Sequence, residues 1–273
     1  QLTEIKLLSE EMILQSKQMS EAMSAQSETL RLNQTEQKRS GESLYSKVIQ
    51  GNKLQQEILW GNIYNNTTAA SEWYQIASSS PGRWAAGYPF LYVLYQVLSC
   101  FKPLSILDLG IGETTKMVMQ YVAKDDNCNH IAIEEDRDWI MHFKQNNTIS
   151  PQTKIIQLDY DYKSYLDEPQ VRILRQFREA VSGETFDLII IDAPIGSKGK
   201  YSRIDILSII PDCLEKRFVI LFDDCDRDAE KATLGKLEDA LTDYGILYAK
   251  GNYQGLKNTV ILTSPDAKFL CTL

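Results

Sequence analysis

The amino-terminal part of the chain places isolated apolar residues within long polar stretches. Between position 2 and about position 33, the apolar residues fall near one stripe of a helix: Ile5, Leu8, Met12, Met19 and Leu30. Spacing of this kind predicts a long, mostly polar helix. Gln15 and Gln26 interrupt the stripe where a strong coiled coil has Leu or Ile, so we expect only modest self-association into a homo-oligomer through it.

A second helical stretch follows a predicted break at Ser40-Gly41. Its apolar residues recur at helical intervals: Leu44, Val48, Leu54, Ile58 and Ile63. It ends in the polar run 65–68, which is typical of a helix terminus. We therefore assign residues 1–66 to a helical stalk or weak coiled coil that acts as a spacer or oligomerisation element.

Residues 67–102 are predicted to combine a connecting loop with an aromatic-rich helix. Three serines followed by Pro-Gly at 78–82 predict the loop. The helix is predicted over 84–101, with Pro89 in its first turns, where a missing backbone N–H is tolerated. Aromatic residues at this density indicate packing in a core or an interface.

Short apolar segments alternate with amphipathic helices after Pro103. This alternation predicts an α/β domain over 103–273, with right-handed crossovers and a largely parallel sheet covered on both faces. A short stretch containing Gly and Asn joins the last two strands, which predicts an antiparallel hairpin that closes the sheet. The predicted strands are 105–109, 131–134, 154–158, 186–192, 218–223, 246–250 and 259–263.

Composition narrows the class of protein. The chain has 273 residues, 43% of them hydrophobic, which suits one main domain with an appendage. A formal net charge of −8 disfavours nucleic acid as a partner. The sequence shows no apolar run long enough to span a bilayer and no charged-then-apolar start that resembles a signal peptide, so we expect no transmembrane segment in this chain. The first residue is Gln1 rather than Met, which leaves room for an upstream domain in a longer protein.

The cysteines are scattered singly, without a CxxC pair. This pattern argues against a structural zinc site and against a disulfide framework, and it favours a reducing, cytoplasmic setting. The five residues are Cys100, Cys128, Cys213, Cys225 and Cys271.

The first predicted strand runs into a glycine turn within SILDLGIGETT. The strand ends at Asp108, and Gly110 and Gly112 precede a helix that begins near Thr114. Glycines allow the backbone to bend tightly and to approach a ligand without a Cβ atom in the way. An ordinary strand-to-helix turn has the same pattern, so this motif alone leaves both interpretations open.

Acidic residues at later strand ends favour a ligand site. Glu134 follows the glycines by roughly 20 residues, the distance at which such folds present an acid to a ribose diol, and Glu135 is the alternative. Asp159 and Asp192 end the third and fourth strands. Each acid alone is commonly a helix cap or a solvated loop residue. Together with Asp108 they mark four consecutive strand ends, which indicates a shared site.

An apolar strand followed by Asp-x-Gly-x-Gly resembles the first motif of the class I S-adenosylmethionine-dependent methyltransferases, and the resemblance extends from about 103 to 273. It implies a Rossmann-like, seven-stranded sheet with S-adenosylmethionine as cofactor. It implies that Glu134 binds the ribose hydroxyls and that Asp159 faces the adenine amino group. It also places Asp192 beside the active site. The implied cofactor-binding residues are Asp108, Gly110, Gly112, Glu113, Thr114, Glu134 and Asp159.

A second likeness concerns methyltransferase-like proteins of bacterial surface-polysaccharide gene clusters. It is carried by the aromatic helix, by LDLGIGETTKM and by IDAPIGSKGKYSRIDIL. It implies O-methylation of a sugar or another small polar acceptor in surface-glycan biosynthesis. The absence of an Asn/Asp-Pro-Pro-Tyr motif also favours oxygen over nitrogen as the acceptor atom.

The candidate catalytic residues are Asp192, Lys198 and Arg203. Asp192 is the candidate base, and the loop cations Lys198, Lys200 and Arg203 are candidates to clamp a phosphate or carboxylate on the acceptor. His130 and His142 do not follow a strand, so we interpret both as structural or surface residues.

The same edge of the sheet is a candidate metal centre. Asp192, Asp223 and Asp224 follow neighbouring strands and are predicted to bind Mg²⁺ or another divalent cation. This resembles the metal-dependent catechol-type O-methyltransferases, although the loop after Asp192 lacks the further Asp or Lys that those enzymes usually show. Capping of the next helix by the acids after strand five is an equally good explanation.

Two other functions remain open. A non-catalytic module that uses this fold for oligomerisation or docking is the first. An NAD-dependent oxidoreductase is the weaker one, because Thr115 stands where a dinucleotide turn has its third glycine and Glu113 would repel a pyrophosphate.

Overall fold

The computed structural model describes residues 2–75, 85–194 and 199–273. The chain divides into two compact units, residues 1–52 and residues 53–273. The helices are α1 (Leu2–Thr68), α2 (Tyr88–Gln96), α3 (Glu113–Val122), α4 (Arg137–Asn146), α5 (Phe177–Ala180) and α6 (Asp228–Asp243). The strands are β1 (Ser105–Leu109), β2 (Asn129–Glu134), β3 (Thr153–Gln157), β4 (Tyr160–Tyr165), β5 (Glu168–Leu174), β6 (Phe186–Ile191), β7 (Leu214–Phe222), β8 (Ala249–Gln254) and β9 (Asn258–Thr263).

The first unit consists of the amino-terminal part of α1. The predicted break at Ser40-Gly41 is wrong, because α1 runs through it without interruption. One glycine disfavours a helix by only about 1 kcal/mol relative to alanine, which is too little to end one. Apolar side chains such as Leu8, Met12 and Leu30 are exposed within this unit. The coiled coil stays a prediction.

The carboxyl-terminal part of α1 belongs to the second unit and packs there through polar as well as apolar contacts. The buried carboxylate of Glu57 accepts hydrogen bonds from the backbone N–H groups of Tyr88, at 2.7 Å, and Leu256, at 2.9 Å. Trp60 donates its indole N–H to the Gln254 carbonyl at 2.9 Å. These bonds tie α1 to the start of α2 and to the turn between β8 and β9.

The aromatic helix begins at Tyr88, with Pro89 in its first turn as predicted. It continues as a π-helical turn over Val97–Phe101 and ends at Lys102, whose φ is 56°. The predicted start at position 84 lies outside the described residues. Among the described residues, no helix combines the length and the apolar character needed to cross a membrane.

Seven strands form one sheet in the order β3-β2-β1-β6-β7-β9-β8. Neighbours are parallel from β3 to β7, whereas β9 is antiparallel to both β7 and β8. The predicted α/β sheet with its closing hairpin is therefore confirmed. The chain order reverses between β1 and β6, and open sheets bind ligands at the carboxyl ends of strands at such a switch point.

Each face of the sheet has its own apolar cluster. Ile106 and Leu188 belong to the cluster that includes α2 and α3, whereas their sequence neighbours Leu107 and Ile189 belong to the cluster that includes α6. This alternation follows from the two-residue period of a strand. Strands covered on both faces are apolar at successive positions, which is why they could be predicted from the sequence.

A separate two-stranded sheet, β4 and β5, follows β3. The predicted alternation of strands and helices misses this hairpin, although Tyr160 and Tyr162 provide the two-residue aromatic period of a strand. The strand predicted at 246–250 is also displaced, since β8 begins at Ala249. Ile246 packs against the core without joining the ladder.

Candidate cofactor and acceptor site

The carboxyl ends of four strands are joined side by side by backbone hydrogen bonds. Gly110 donates its N–H to the Ile133 carbonyl at 2.8 Å, and Asp192 donates to Leu109 at 3.1 Å. Asp223 in turn donates to Ile191 at 3.0 Å. The ends of β2, β1, β6 and β7 therefore form one continuous rim, with the switch point at its centre.

The two glycines of the turn have different structural requirements. Gly110 has a φ of +102°, and a Cβ atom placed there would lie 2.5 Å from the Cβ of Ala193. The fold itself therefore requires glycine at 110. Gly112 has an extended φ of −175°, and a Cβ atom there would meet no atom of the described residues within 4 Å. Gly112 borders open space at the rim.

Asp108 supports this turn from inside the fold. Its carboxylate is fully buried and accepts a hydrogen bond from the Thr115 hydroxyl at 2.7 Å. That hydroxyl also accepts the N–H of Gly112 at 3.0 Å. Because the surface of a binding site is accessible when the ligand is absent, the predicted direct contact of Asp108 with the cofactor does not fit its burial. Asp108 acts on the turn through Thr115.

Glu134 is bonded to the glycine turn. Its carboxylate accepts the N–H of Ile111 at 3.1 Å through Oε2, and those of Glu135 and Asp136 at 2.8 and 3.0 Å through Oε1. A carboxylate has about four acceptor positions, so roughly one remains on Oε2. Glu134 thus shapes the turn and retains capacity for one more donor.

Glu135, the alternative ribose acid, is engaged elsewhere. It forms an ion pair with Arg172 of β5, which links the end of β2 to the hairpin. Burial raises the pKa of Glu135 to about 7, because the loss of hydration outweighs the attraction of Arg172. This pairing favours Glu134 over Glu135 as the ribose-binding acid.

The other predicted cofactor residues are divided between surface and interior. Asp159 is exposed just after β3 and accepts a hydrogen bond from Gln157 at 2.9 Å. Glu113 begins α3 and pairs with Lys116 at 2.7 Å. Thr114 has a buried side chain, so direct contact of that side chain with a cofactor does not fit its position.

The three predicted metal ligands converge at the rim. Asp192, Asp223 and Asp224 each place a carboxylate oxygen within 4.8 Å of the other two. Burial and the charge of Asp223 raise the pKa of Asp192 well above its usual value, against the opposing effects of Arg203 and Lys257. A raised pKa makes the ionised form of Asp192 a stronger base than an ordinary carboxylate.

Arg203 lies beneath these carboxylates and is buried. Its guanidinium donates to Asp224 Oδ2 at 2.7 Å and to the carbonyls of Asp223, Ile191 and Pro194 at 3.0, 3.3 and 3.3 Å. It therefore braces the ends of β6 and β7. The prediction that Arg203 clamps the acceptor is wrong, because its donors are directed into the protein.

Lys257 enters the same cluster from the turn between β8 and β9. Its ammonium lies 3.2 Å from Asp223 Oδ2 and 3.6 Å from Asp224 Oδ1, and donates to the Ala85 carbonyl at 3.0 Å. Burial lowers its pKa, but Asp223, Asp192 and Asp224 together raise it above the usual value. The neighbouring carboxylates therefore favour the charged form of Lys257.

Protein donors already occupy several of the carboxylate oxygens that a divalent cation would need. Thr259 and Lys257 occupy the two oxygens of Asp223, at 3.2 Å each. Arg203 and Arg227 share Asp224 Oδ2, at 2.7 and 3.0 Å. The carboxylates gather where the sequence predicts them, but protein cations already neutralise them.

The remaining predicted residues either lie away from this cluster or fall outside the residues that the structure describes. Lys198 falls in the undescribed stretch 195–198. Lys200 is exposed and pairs with Asp167. His130 is buried in β2, with Nε2 3.8 Å from Asp108 and Nδ1 3.0 Å from the Thr153 hydroxyl, which agrees with a structural role. His142 stacks on Trp139 in α4.

The sequence analysis does not predict that Lys257 and Thr115 bond to the acids at the rim. Lys257 follows a glycine in the last hairpin, far along the chain from the acids it contacts, and no local pattern marks that contact. Thr115 was detectable, since a hydroxyl three residues into a helix is part of a known capping pattern.

The chain matches no protein-family model and no curated protein. Among solved structures, it is similar to an S-adenosylhomocysteine-bound methyltransferase from Podospora anserina, at 14% identity and a TM-score of 0.45, over 76% of this chain and 88% of that one. A Staphylococcus aureus structure assigned as a caffeoyl-CoA O-methyltransferase has 17% identity and a TM-score of 0.44, over 74% and 91%. An O-methyltransferase of tomaymycin synthesis from Streptomyces achromogenes has 13% identity and a TM-score of 0.41, over 63% and 78%.

These identities and TM-scores are low, so the fold is assigned from the strand topology alone. The strand order, the parallel sheet closed by an antiparallel hairpin and the glycine turn after β1 are features of the chain itself. By these features the chain has the fold of the class I S-adenosylmethionine-dependent methyltransferases.

Proposed function

We propose that the protein is an S-adenosylmethionine-dependent methyltransferase that acts on a hydroxyl group. The observation that carries the proposal is the open space at Gly112 beside the carboxylate of Glu134. Among the described residues, nothing in the packing requires glycine at 112, because its φ is extended and a Cβ atom would meet none of their atoms within 4 Å. A ligand that approaches the backbone closely explains the glycine.

The cofactor fits this rim by its chemistry. Glu134 Oε2 retains an acceptor position for a ribose hydroxyl, and the exposed Asp159 is a candidate for the adenine amino group. The carboxylate of Glu113, at the start of α3, suits a sulfonium better than a pyrophosphate, because opposite charges attract. This charge preference favours methyl transfer over an NAD-dependent reaction.

In the proposed reaction, Asp192 acts as the general base. S-Adenosylmethionine would supply the methyl group and leave as S-adenosylhomocysteine, its sulfur taking the electron pair of the broken C–S bond. As the acceptor oxygen forms its bond to the methyl carbon, the hydroxyl proton passes to the Asp192 carboxylate. The rim then mainly holds both reactants in line.

For the acceptor, we propose a sugar or another small polar hydroxyl compound, in surface-glycan biosynthesis. The sequence likeness described above supports this assignment. An acidic acceptor is suggested only by the predicted loop cation Lys198, because Lys200 pairs with Asp167 away from the rim. The cytoplasmic setting rests on the scattered, free cysteines and stays a prediction.

Calorimetric titration with S-adenosylmethionine and S-adenosylhomocysteine tests the proposal. We expect micromolar binding to the wild type, and Glu134→Gln and Gly112→Val each to weaken it at least tenfold. Glu184→Gln is the matched control, since Glu184 is a carboxylate outside the rim that bonds to Asn129. No binding of either compound to the folded wild type would favour the non-catalytic module.

Gly110→Ala is expected to lower the free energy of unfolding by about 2–4 kcal/mol, because it combines a positive φ with a contact against Ala193. Gly112→Ala is its control, and we expect a change within about 0.5 kcal/mol. Denaturant unfolding measures both. Equal effects of the two substitutions would contradict the different roles assigned to these glycines.

A further inference from the structure

The position of Lys257 is fixed by the fold rather than by its own flexible side chain. The preceding residue, Leu256, donates its N–H to the buried Glu57 carboxylate at 2.9 Å. At Gly255, a Cβ atom would lie 2.3 Å from the same carboxylate, so this glycine lets the turn close onto α1. These contacts hold the backbone from which the Lys257 side chain reaches the rim.

At the rim, the Lys257 ammonium lies within ion-pair distance of two of the three clustered aspartates. Its Nζ approaches Asp223 at 3.2 Å and Asp224 at 3.6 Å, and each of these carboxylates has an oxygen within 4.8 Å of one from Asp192. The facing oxygen, Asp224 Oδ1, is buried and has no hydrogen-bond partner among the described residues. The Lys257 ammonium is therefore a cation that offsets the negative charge of Asp223 and Asp224.

The ammonium also keeps some capacity for an acceptor. It has three N–H donors, of which two are bonded to Asp223 and to the Ala85 carbonyl. Its side chain retains 14% exposure, whereas Asp223 beneath it has none. Lys257 and Asp192, whose side chain is 16% exposed, are therefore the accessible members of the cluster.

We propose that Lys257 takes the place of a divalent metal in this site. Its ammonium neutralises Asp223 and Asp224 and holds the acceptor oxygen next to Asp192, so that the reaction needs no metal. The assignment of the acceptor oxygen rests on the proposed function, whereas the exclusion of the metal by Lys257 depends only on the cluster itself.

Titration with Mn²⁺ alone, without cofactor or acceptor, tests this inference by the electron paramagnetic resonance signal of the free ion. We expect the wild type to bind no Mn²⁺ at the cluster. Lys257→Met should gain one site per chain with at least tenfold tighter binding, and a further Asp224→Asn substitution should abolish it. Lys250→Met is the matched control, because Lys250 pairs with Glu238 away from the rim.

Two outcomes would overturn the inference. The first is stoichiometric binding by the wild type that is lost in Asp224→Asn. The second is the absence of any gain in a folded Lys257 variant. Circular dichroism checks folding, and Lys257→Gln replaces the methionine variant if that one unfolds. Because no methyl donor is present, failure here is distinct from failure to bind S-adenosylmethionine.

Discussion

Arg203→Met is expected to lower the free energy of unfolding by about 3–5 kcal/mol, the range for breaking a buried ion pair. The substitution keeps much of the side-chain volume but removes the charge that lies 2.7 Å from Asp224 and 3.9 Å from Asp192. It also removes one donor from each of three backbone carbonyls near the ends of β6 and β7, of which Ile191 keeps the N–H of Asp223. Denaturant unfolding followed by circular dichroism measures the loss.

Arg227→Met is the matched control for this experiment. Arg227 contacts the same oxygen of Asp224 at 3.0 Å, but 45% of its side chain is exposed. Ion pairs that reach solvent contribute about 1 kcal/mol or less. If both arginine variants lost the same small amount of stability, the buried bracing role of Arg203 would be refuted.

Asp192→Asn is expected to reduce the rate of methyl transfer by about 10²–10⁴-fold, the usual contribution of a general base. Binding of S-adenosylmethionine should remain within a few-fold of the wild type, since the proposed cofactor contacts lie at β1, β2 and β3. The measurement is kcat with a hydroxyl acceptor found by screening. The control is Asp212→Asn, an exposed aspartate that pairs with Arg178.

The same substitution should change the pH profile. Because burial and Asp223 raise the pKa of Asp192, the wild-type rate should rise with pH through a value above that of an ordinary aspartate. The base is active only when ionised, so activity is lost as the pH falls below that pKa. An asparagine variant that kept this rising limb would assign the proton to another group.

The sheet could be predicted because its strands are buried on both faces. In β1 and β6, successive positions such as Leu107, Leu188 and Ile189 are apolar, and this signal needs no knowledge of the partners. The acids that follow these strands could be placed at one rim for the same reason. Parallel strands bring their carboxyl ends to one edge whatever their exact register.

Roles that depend on side-chain direction could not be predicted. Asp108 and Arg203 have the residue types expected of ligand contacts, yet both point into the protein because buried partners satisfy them. Lys257 was missed because its partners lie some 34 residues away along the chain. The pair Ser40-Gly41 predicts a break that α1 does not have, because one glycine destabilises a long helix by only about 1 kcal/mol.

The hydrogen bond between Glu57 and Leu256 determines which fragment of the chain can keep this site. A fragment that starts at the glycine-turn strand, or at 67 as the apolar pattern suggests, lacks the carboxylate that holds Leu256 in place. The smallest fragment that keeps this site therefore includes the end of α1 from about Lys53, where the compact second unit begins. In gene fusions, duplications or domain exchanges, these α1 residues should be inherited together with the sheet rather than with whatever precedes them.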